Sequence, residues 1–148
     1  MGFLGRLKER FAPKRRDDPL FGSLLDMGGY WEGAGLFPPT GTEIEWFVDG
    51  GEEGPGEGAR AAFRAIVERY AEIEPVVLEL LGREIAERIA DAAPPTAEVV
   101  TLVAISVPAA AGPEMSWELS YDCSLGRSPH LTVEMRGWRP TGDVVMDT

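Results

Sequence analysis

Residues 99–105, Val-Val-Thr-Leu-Val-Ala-Ile, decide how the rest of the chain is interpreted. β-Branched residues dominate this stretch, and polar residues hardly alternate with apolar ones, which is typical of a strand buried on both faces of a sheet. Such a strand needs neighbouring strands and a covering layer of helix. We therefore expect it at the centre of a sheet and work outward from it in both directions.

The chain after this strand predicts more strands. Trp117, Leu119, Tyr121 and Cys123 alternate with polar residues, and residues 131–135 repeat the same two-residue period. Gly126 and Pro129 lie between these two segments and predict a turn, so the pair is expected to form a hairpin. Residues 142–146 can add one short edge strand before the chain ends.

The chain before the central strand predicts three strands and then helices. Residues 21–27 and 30–36 flank the Gly28-Gly29 turn, and Ile44, Trp46 and Val48 then alternate with Glu43, Glu45 and Phe47. One face of this third strand is expected in the core, and the other is partly acidic. Apolar positions at intervals of three and four predict helices over 59–70 and 75–89. Pro75 is taken as the start of the second helix, with a single kinked helix as the alternative.

The resulting order is β-β-β-α-α-β-β-β-β, which predicts an α+β fold with a mainly antiparallel sheet and a helical pair packed on one face. Residues 19–148 are expected to form a single domain. Residues 1–18 form a basic amphipathic tail, in which Phe3, Leu4, Leu7 and Phe11 have helical spacing among arginines and lysines. Such a segment can lie on an anionic membrane surface, so an alternative hypothesis is that the protein is a membrane-surface adaptor that binds through residues 3–16.

Charge is divided unevenly along the chain. The first 16 residues hold six basic side chains and one acidic one, and the remaining residues hold eight basic and 24 acidic side chains. A body this acidic repels nucleic-acid phosphates, so DNA and RNA are excluded as expected partners, whereas a basic protein is compatible. The single cysteine excludes an internal disulfide, and no secretion signal is recognised, so we expect a cytoplasmic protein.

Candidate partner-binding residues lie on the predicted sheet and in the glycine-rich loop after residue 49. Alternation places acidic side chains on one sheet face, two further glutamates lie in the loop, and a tryptophan beside Gly29 is expected to be exposed. These candidates are Glu43, Glu45, Glu118, Glu134, Glu52, Glu53 and Trp31.

Evidence for catalysis is weak in the sequence. Cys123, Asp122 and His130 lie near the ends of one predicted hairpin, but alternation places Cys123 among core residues. The loop carboxylates do not have calcium-site spacing, and no nucleotide or hydrolase motif occurs, so no metal, cofactor or catalytic residue is assigned. A pocket between sheet and helices that uses Tyr121 or His130 remains an alternative, either as a ligand site or as an enzyme site.

Phe21-Gly22-Ser23-Leu24, Tyr30-Trp31-Glu32-Gly33 and the strand, acidic loop and helix that follow resemble uncharacterised bacterial domain families, some of them suspected immunity proteins of toxin systems. The resemblance covers about half of the chain and brings no functional residues with it. It implies a small cytosolic bacterial protein with no assigned chemistry, and immunity proteins of that kind are often acidic and act by occluding a toxin. The leading hypothesis is therefore a protein-binding module, immunity-like in character, that presents its acidic surface to a basic partner.

Overall fold

The computed structural model describes residues 14–89 and 94–148, which form eight strands, one long helix and one short helix. The helices α1 (Glu57–Arg88) and α2 (Thr96–Val99) lie between the fourth and fifth strands in the chain. The strands are β1 (Arg15–Asp18), β2 (Gly22–Asp26), β3 (Tyr30–Phe37), β4 (Thr42–Asp49), β5 (Val100–Val107), β6 (Ser116–Cys123), β7 (His130–Arg136) and β8 (Arg139–Asp147).

All of these strands belong to one sheet, in which they lie in chain order from β1 to β8. Neighbouring strands are antiparallel except β4 and β5, which run parallel with Glu45 opposite Ala104. Parallel neighbours need a crossover connection, and the segment that contains α1 supplies it. The prediction of an α+β fold with a mainly antiparallel sheet is confirmed, and β5 is a central strand. Burial of β5 on both faces is found only in part, because Thr101 is exposed and Val103 is half-buried.

α1 is one helix of 32 residues that continues through Pro75, so the predicted pair of helices is wrong. Pro75 lies on the exposed side of α1, whereas Ile73 and Val77 are buried on either side of it. Proline removes one backbone hydrogen bond from a helix, and the buried residues on both sides keep the two halves on the same sheet. Tertiary packing therefore outweighs the local signal for a break.

α1 packs on one face of the sheet, which we call the helix face. Phe63 of α1 packs with its ring centroid 5.3 Å from that of Trp46, and Tyr70 packs 5.2 Å from Phe37. The same face buries Leu119 and Leu131, and burial of such side chains is the main favourable term in folding. Alternate residues of every strand are consequently directed to the opposite face.

Two glycines of β3 make room for a tryptophan of β4. A Cβ atom on Gly35 would lie 2.6 Å from Cη2 of Trp46, and one on Gly33 would lie 2.8 Å from its Nε1. The Trp46 Nε1–H also donates to the Phe21 carbonyl oxygen over 3.2 Å. These two glycines are therefore needed because they leave space for the Trp46 indole, and not because they form a turn.

The first strand, β1, was not predicted, because Arg15, Arg16, Asp17 and Asp18 show no apolar alternation. These residues pair with β2 although the sequence assigned them to the tail. Asp18 accepts two hydrogen bonds from Arg60 on α1, one from Nη1 over 2.9 Å and one from Nη2, and two more from the backbone N–H groups of Leu20 and Phe21. β1 is thus tied to the start of the helix. Residues 1–13, with the predicted amphipathic helix, lie outside the described residues.

Candidate functional site

The candidate functional site is the face of the sheet opposite α1, which we call the open face. In residues 14–89 and 94–148, both helices belong to the helix side, and no helix lies over the open face. Its central part consists of Tyr30, Glu32, Ala34 and Leu36 on β3, Glu43, Glu45, Phe47 and Asp49 on β4, Ala104 and Ser106 on β5, Glu118, Ser120 and Asp122 on β6, and His130, Thr132 and Glu134 on β7.

A groove runs across the open face. One cavity of about 560 Å³ extends from Glu43 on β4 to His130 on β7, and a second of about 500 Å³ extends toward Arg15 on β1. The two cavities share Ala34, Glu45 and Phe47. The groove is therefore long and shallow, and it crosses most strands of the sheet.

An aromatic pair lies beside the groove where its two cavities meet, because Phe47 lines both cavities and Tyr30 packs against Phe47. The ring centroids of Tyr30 and Phe47 are 6.4 Å apart with the rings edge to face, and 38% of the Tyr30 surface is exposed. Strand pairing places Glu32 opposite Phe47 and Asp49 opposite Tyr30. Apolar surface ringed by carboxylates matches the arrangement of protein interfaces, in which a desolvated centre lies within a polar rim.

The acidic side chains of the open face include a like-charged pair that does not help folding. Glu118 on β6 lies directly opposite Glu134 on β7. Like charges at such positions destabilise a sheet by a few tenths of a kcal/mol up to about 1 kcal/mol. Sites where a local choice opposes folding are often functional, so this pair marks the face as a candidate binding surface.

The structure brings four of the predicted partner-binding residues together. Glu43 and Glu45 lie on β4, and Glu118 and Glu134 lie on β6 and β7, all on the open face. Glu52 and Glu53 lie apart from them, exposed in the loop that leads from β4 to α1. The sheet and the loop are therefore separate acidic surfaces.

The expected exposure of Trp31 is wrong. Only 2% of its surface is exposed, because alternation along β3 directs its indole to the helix face. Its Nε1–H donates a hydrogen bond of 2.9 Å to the carbonyl oxygen of Gly51. Trp31 thus anchors the loop after β4, and Tyr30, the residue before it, provides the exposed aromatic ring.

Tyr121 and His130 do not share a pocket, because they lie on opposite faces of the sheet. Tyr121 is buried on the helix face, where its hydroxyl lies 2.9 Å from that of Tyr70. On the open face, Nδ1 of His130 lies 2.9 Å from Oδ1 of Asp122. Cys123 is buried on the same side as Tyr121, so it has no access to His130 and the two cannot act as a catalytic pair.

Tyr30, Glu32 and Phe47 are the site residues that the sequence interpretation missed. The signal for Phe47 lies in the run Trp46-Phe47-Val48, where three consecutive apolar residues force one onto the acidic face of a strand. Tyr30 and Glu32 become recognisable only when the pairing of β3 with β4 is known.

Residues 14–89 and 94–148 contain neither a cluster of metal ligands nor a helix that could cross a membrane. No group of three or more histidine, cysteine, aspartate or glutamate side chains in these ranges is arranged to hold a metal ion. No helix in them has the length and hydropathy needed to cross a membrane.

Comparison of the chain with protein-family models, curated proteins and solved structures finds no match. The open face itself therefore provides the observations from which a function can be proposed.

Proposed function

We propose that the protein is a binding module whose open face binds a basic protein partner. The observation that carries the proposal is the aromatic pair of Tyr30 and Phe47 within a ring of carboxylates. An arginine or lysine of a partner can stack on such a ring and pair with a neighbouring carboxylate at the same time. Desolvated aromatic positions of this kind dominate the energy of protein interfaces.

Charge on the open face favours a basic protein over other partners. The groove is lined by Glu32, Glu43, Glu45 and Asp122, with Arg15 at one end. Complementary charge speeds association and excludes acidic competitors, and nucleic acids are repelled by the same carboxylates. Residues 21–24 and 30–33 resemble uncharacterised bacterial domain families that include suspected immunity proteins, which favours a toxin as the partner and occlusion as the mode of action.

The proposal is tested by recovering the partner with matched variants of the protein. The chain is tagged at its C-terminus and recovered from its native cells at low salt, and companions are identified by mass spectrometry. The open-face variant combines Glu45→Gln with Phe47→Ala. The control variant combines Glu72→Gln with Val76→Ala on the exposed side of α1, so that both variants lose one charge and one apolar side chain.

The expected result is a stoichiometric basic protein that is retained by the wild type and the control, released as salt rises and absent from the open-face variant. With the purified companion, the open-face variant should weaken the Kd by at least about tenfold, as for an interface hot spot. Recovery of no companion, or equal recovery with both variants, would contradict the proposal.

A further inference from the structure

Another cavity lies on the helix side of the sheet, and we call it the tyrosine cleft. It has a volume of about 310 Å³ and lies between α1, α2 and the starts of β4 and β5, with Tyr70, Glu74 and Tyr121 in its lining. An adjoining cavity of about 520 Å³ shares Pro39, Tyr70 and Glu74 with it. The tyrosine cleft alone, at about 310 Å³, reaches the volume range of small-molecule pockets, which starts at about 300 Å³.

The inner end of the tyrosine cleft is formed by two neutral hydroxyl groups. Tyr70 and Tyr121 are both buried, and their hydroxyl oxygens are 2.9 Å apart. Burial raises the pKa of Tyr70 to about 12, with a further contribution from the charge of Glu74, and burial also raises the pKa of Tyr121. The pair holds two protons and uses one in its mutual hydrogen bond. A hydrogen bond with Glu74 also raises the pKa of Tyr70, so the second phenol proton is shared with the Glu74 carboxylate, and lone pairs on the two hydroxyl oxygens remain for a donor group.

The outer end of the tyrosine cleft is rich in hydrogen-bond acceptors. Glu74 is half-buried and belongs to the lining of both cavities, and in the described part of the chain it forms no salt bridge. Pro75 has no N–H, so it cannot donate to the Ala71 carbonyl as an ordinary helical residue would. Ala71 and Pro75 both line the adjoining cavity. A carboxylate and a helical carbonyl without its usual donor are thus placed within one turn of α1.

The described lining of the two cavities is acidic, hydroxyl-bearing and apolar. Among the described residues that line the two cavities, there is no lysine, arginine or histidine, and the remaining walls include Leu78, Val100 and Leu102. An anionic ligand would meet Glu74 without a counter-charge. A ligand with several N–H donors and an apolar body fits this cavity better. Its donors can hydrogen-bond to the carboxylate, hydroxyl and carbonyl oxygens, and its apolar part can pack against the apolar lining.

We propose that the tyrosine cleft binds a small organic amine in its protonated form. The ammonium group donates hydrogen bonds to the Glu74 carboxylate and the Tyr70 hydroxyl, with the Ala71 carbonyl as a further acceptor at the outer end. The apolar part of the amine packs against Leu78 and Leu102. This site lies on the helix side of the sheet, so it does not depend on the binding proposed for the open face.

The test uses benzylamine as the probe, with benzyl alcohol and benzoate as neutral and anionic analogues of the same size. Binding is followed by chemical-shift changes in amide NMR spectra of the full chain. Glu74→Gln removes the charge from the cleft, and Glu72→Gln removes one from the exposed side of the same helix turn. Thermal unfolding of both variants is recorded, so that loss of binding can be separated from loss of fold.

The expected result is saturable binding of benzylamine with shifts at Thr42, Ala97 and Leu102, and at least about tenfold weaker binding of both analogues. Glu74→Gln should weaken benzylamine binding by a similar factor, and Glu72→Gln should change it by less than about twofold. If benzylamine does not bind, binds no better than benzyl alcohol, or binds the folded Glu74→Gln variant unchanged, the proposal is wrong.

Discussion

The helix face and the open face are built from alternate residues of the same strands, yet they differ in almost every property. Ile44, Trp46 and Val48 of β4 are buried under α1, whereas Glu43 and Glu45 between them are exposed. The helix face therefore holds the apolar core of the described chain, and the open face is the surface that we propose for binding. In a single-layer sheet, a two-residue period is enough to separate these tasks.

The two faces should differ most in how much the free energy of unfolding falls when a leucine is replaced by alanine. Leu119 on the helix face is fully buried, and Leu36 on the open face is 65% exposed. Leu119→Ala should lower the free energy of unfolding by about 2–5 kcal/mol, because it loses apolar burial and leaves a cavity. Leu36→Ala should change it by less than about 0.5 kcal/mol. Urea unfolding of both variants checks this, and equal losses would contradict the assignment of the faces.

A smaller effect is expected at the ion pair that ties β1 to α1. Hydrogen bonding from Arg60 and the backbone N–H groups of Phe21 and Leu20 lowers the pKa of Asp18 from 3.8 to about 2. The folded state therefore binds this proton less readily than the unfolded chain. The resulting stability, about 2 kcal/mol, is complete above pH 4 and is lost as pH falls from 3.8 toward 2.

Asp18→Asn tests this tie directly. The variant should lose about 2 kcal/mol at neutral pH, and the difference from the wild type should shrink as the pH is lowered through that window. Asp17→Asn, one residue away on the exposed side of β1, is the control and should stay within about 0.5 kcal/mol of the wild type. A pH-independent difference between Asp18→Asn and the wild type in chemical unfolding experiments would be inconsistent with the ion pair.

The smallest expected effect on the free energy of unfolding is a stabilisation, whereas the two changes above destabilise the fold. Glu118→Gln removes one charge from the like-charged pair with Glu134, so it should raise the free energy of unfolding by about 0.2–1 kcal/mol. Glu53→Gln in the loop should leave it nearly unchanged. Calorimetric melting of the two variants at low salt distinguishes them, and destabilisation by Glu118→Gln would show that the carboxylate serves the fold instead.

Much of this architecture could be predicted from the sequence, because alternation is strong where one face is buried. Trp117 to Cys123 and Leu131 to Met135 were placed correctly by their period alone. Two elements were misjudged for physical reasons. Pro75 indicates a helix boundary locally but lies on the exposed side of α1, and β1 is a polar edge strand held by pairing and by Asp18.

The candidate site was predictable only in outline. Alternation identified Glu43, Glu45, Glu118 and Glu134 as one face, because a strand's period fixes which residues lie together. It could not show that Glu118 lies opposite Glu134, or that Phe47 packs beside Tyr30, since both facts depend on strand register. The burial of Trp31 follows from the same register, as does the separation of Tyr121 from His130.

The central claim, that the open face is the binding surface, is tested most directly by stopped-flow association of the purified basic companion with two fourfold variants of equal charge. The open-face variant replaces Glu43, Glu45, Glu118 and Glu134 by glutamine, and the helix-side variant replaces Glu68, Glu72, Glu79 and Glu87. We expect the open-face variant to associate at least about tenfold more slowly at low salt and the helix-side variant to stay close to the wild type, with the difference disappearing as salt rises. Equal slowing by both variants would show that net charge acts without the open face and would contradict the account.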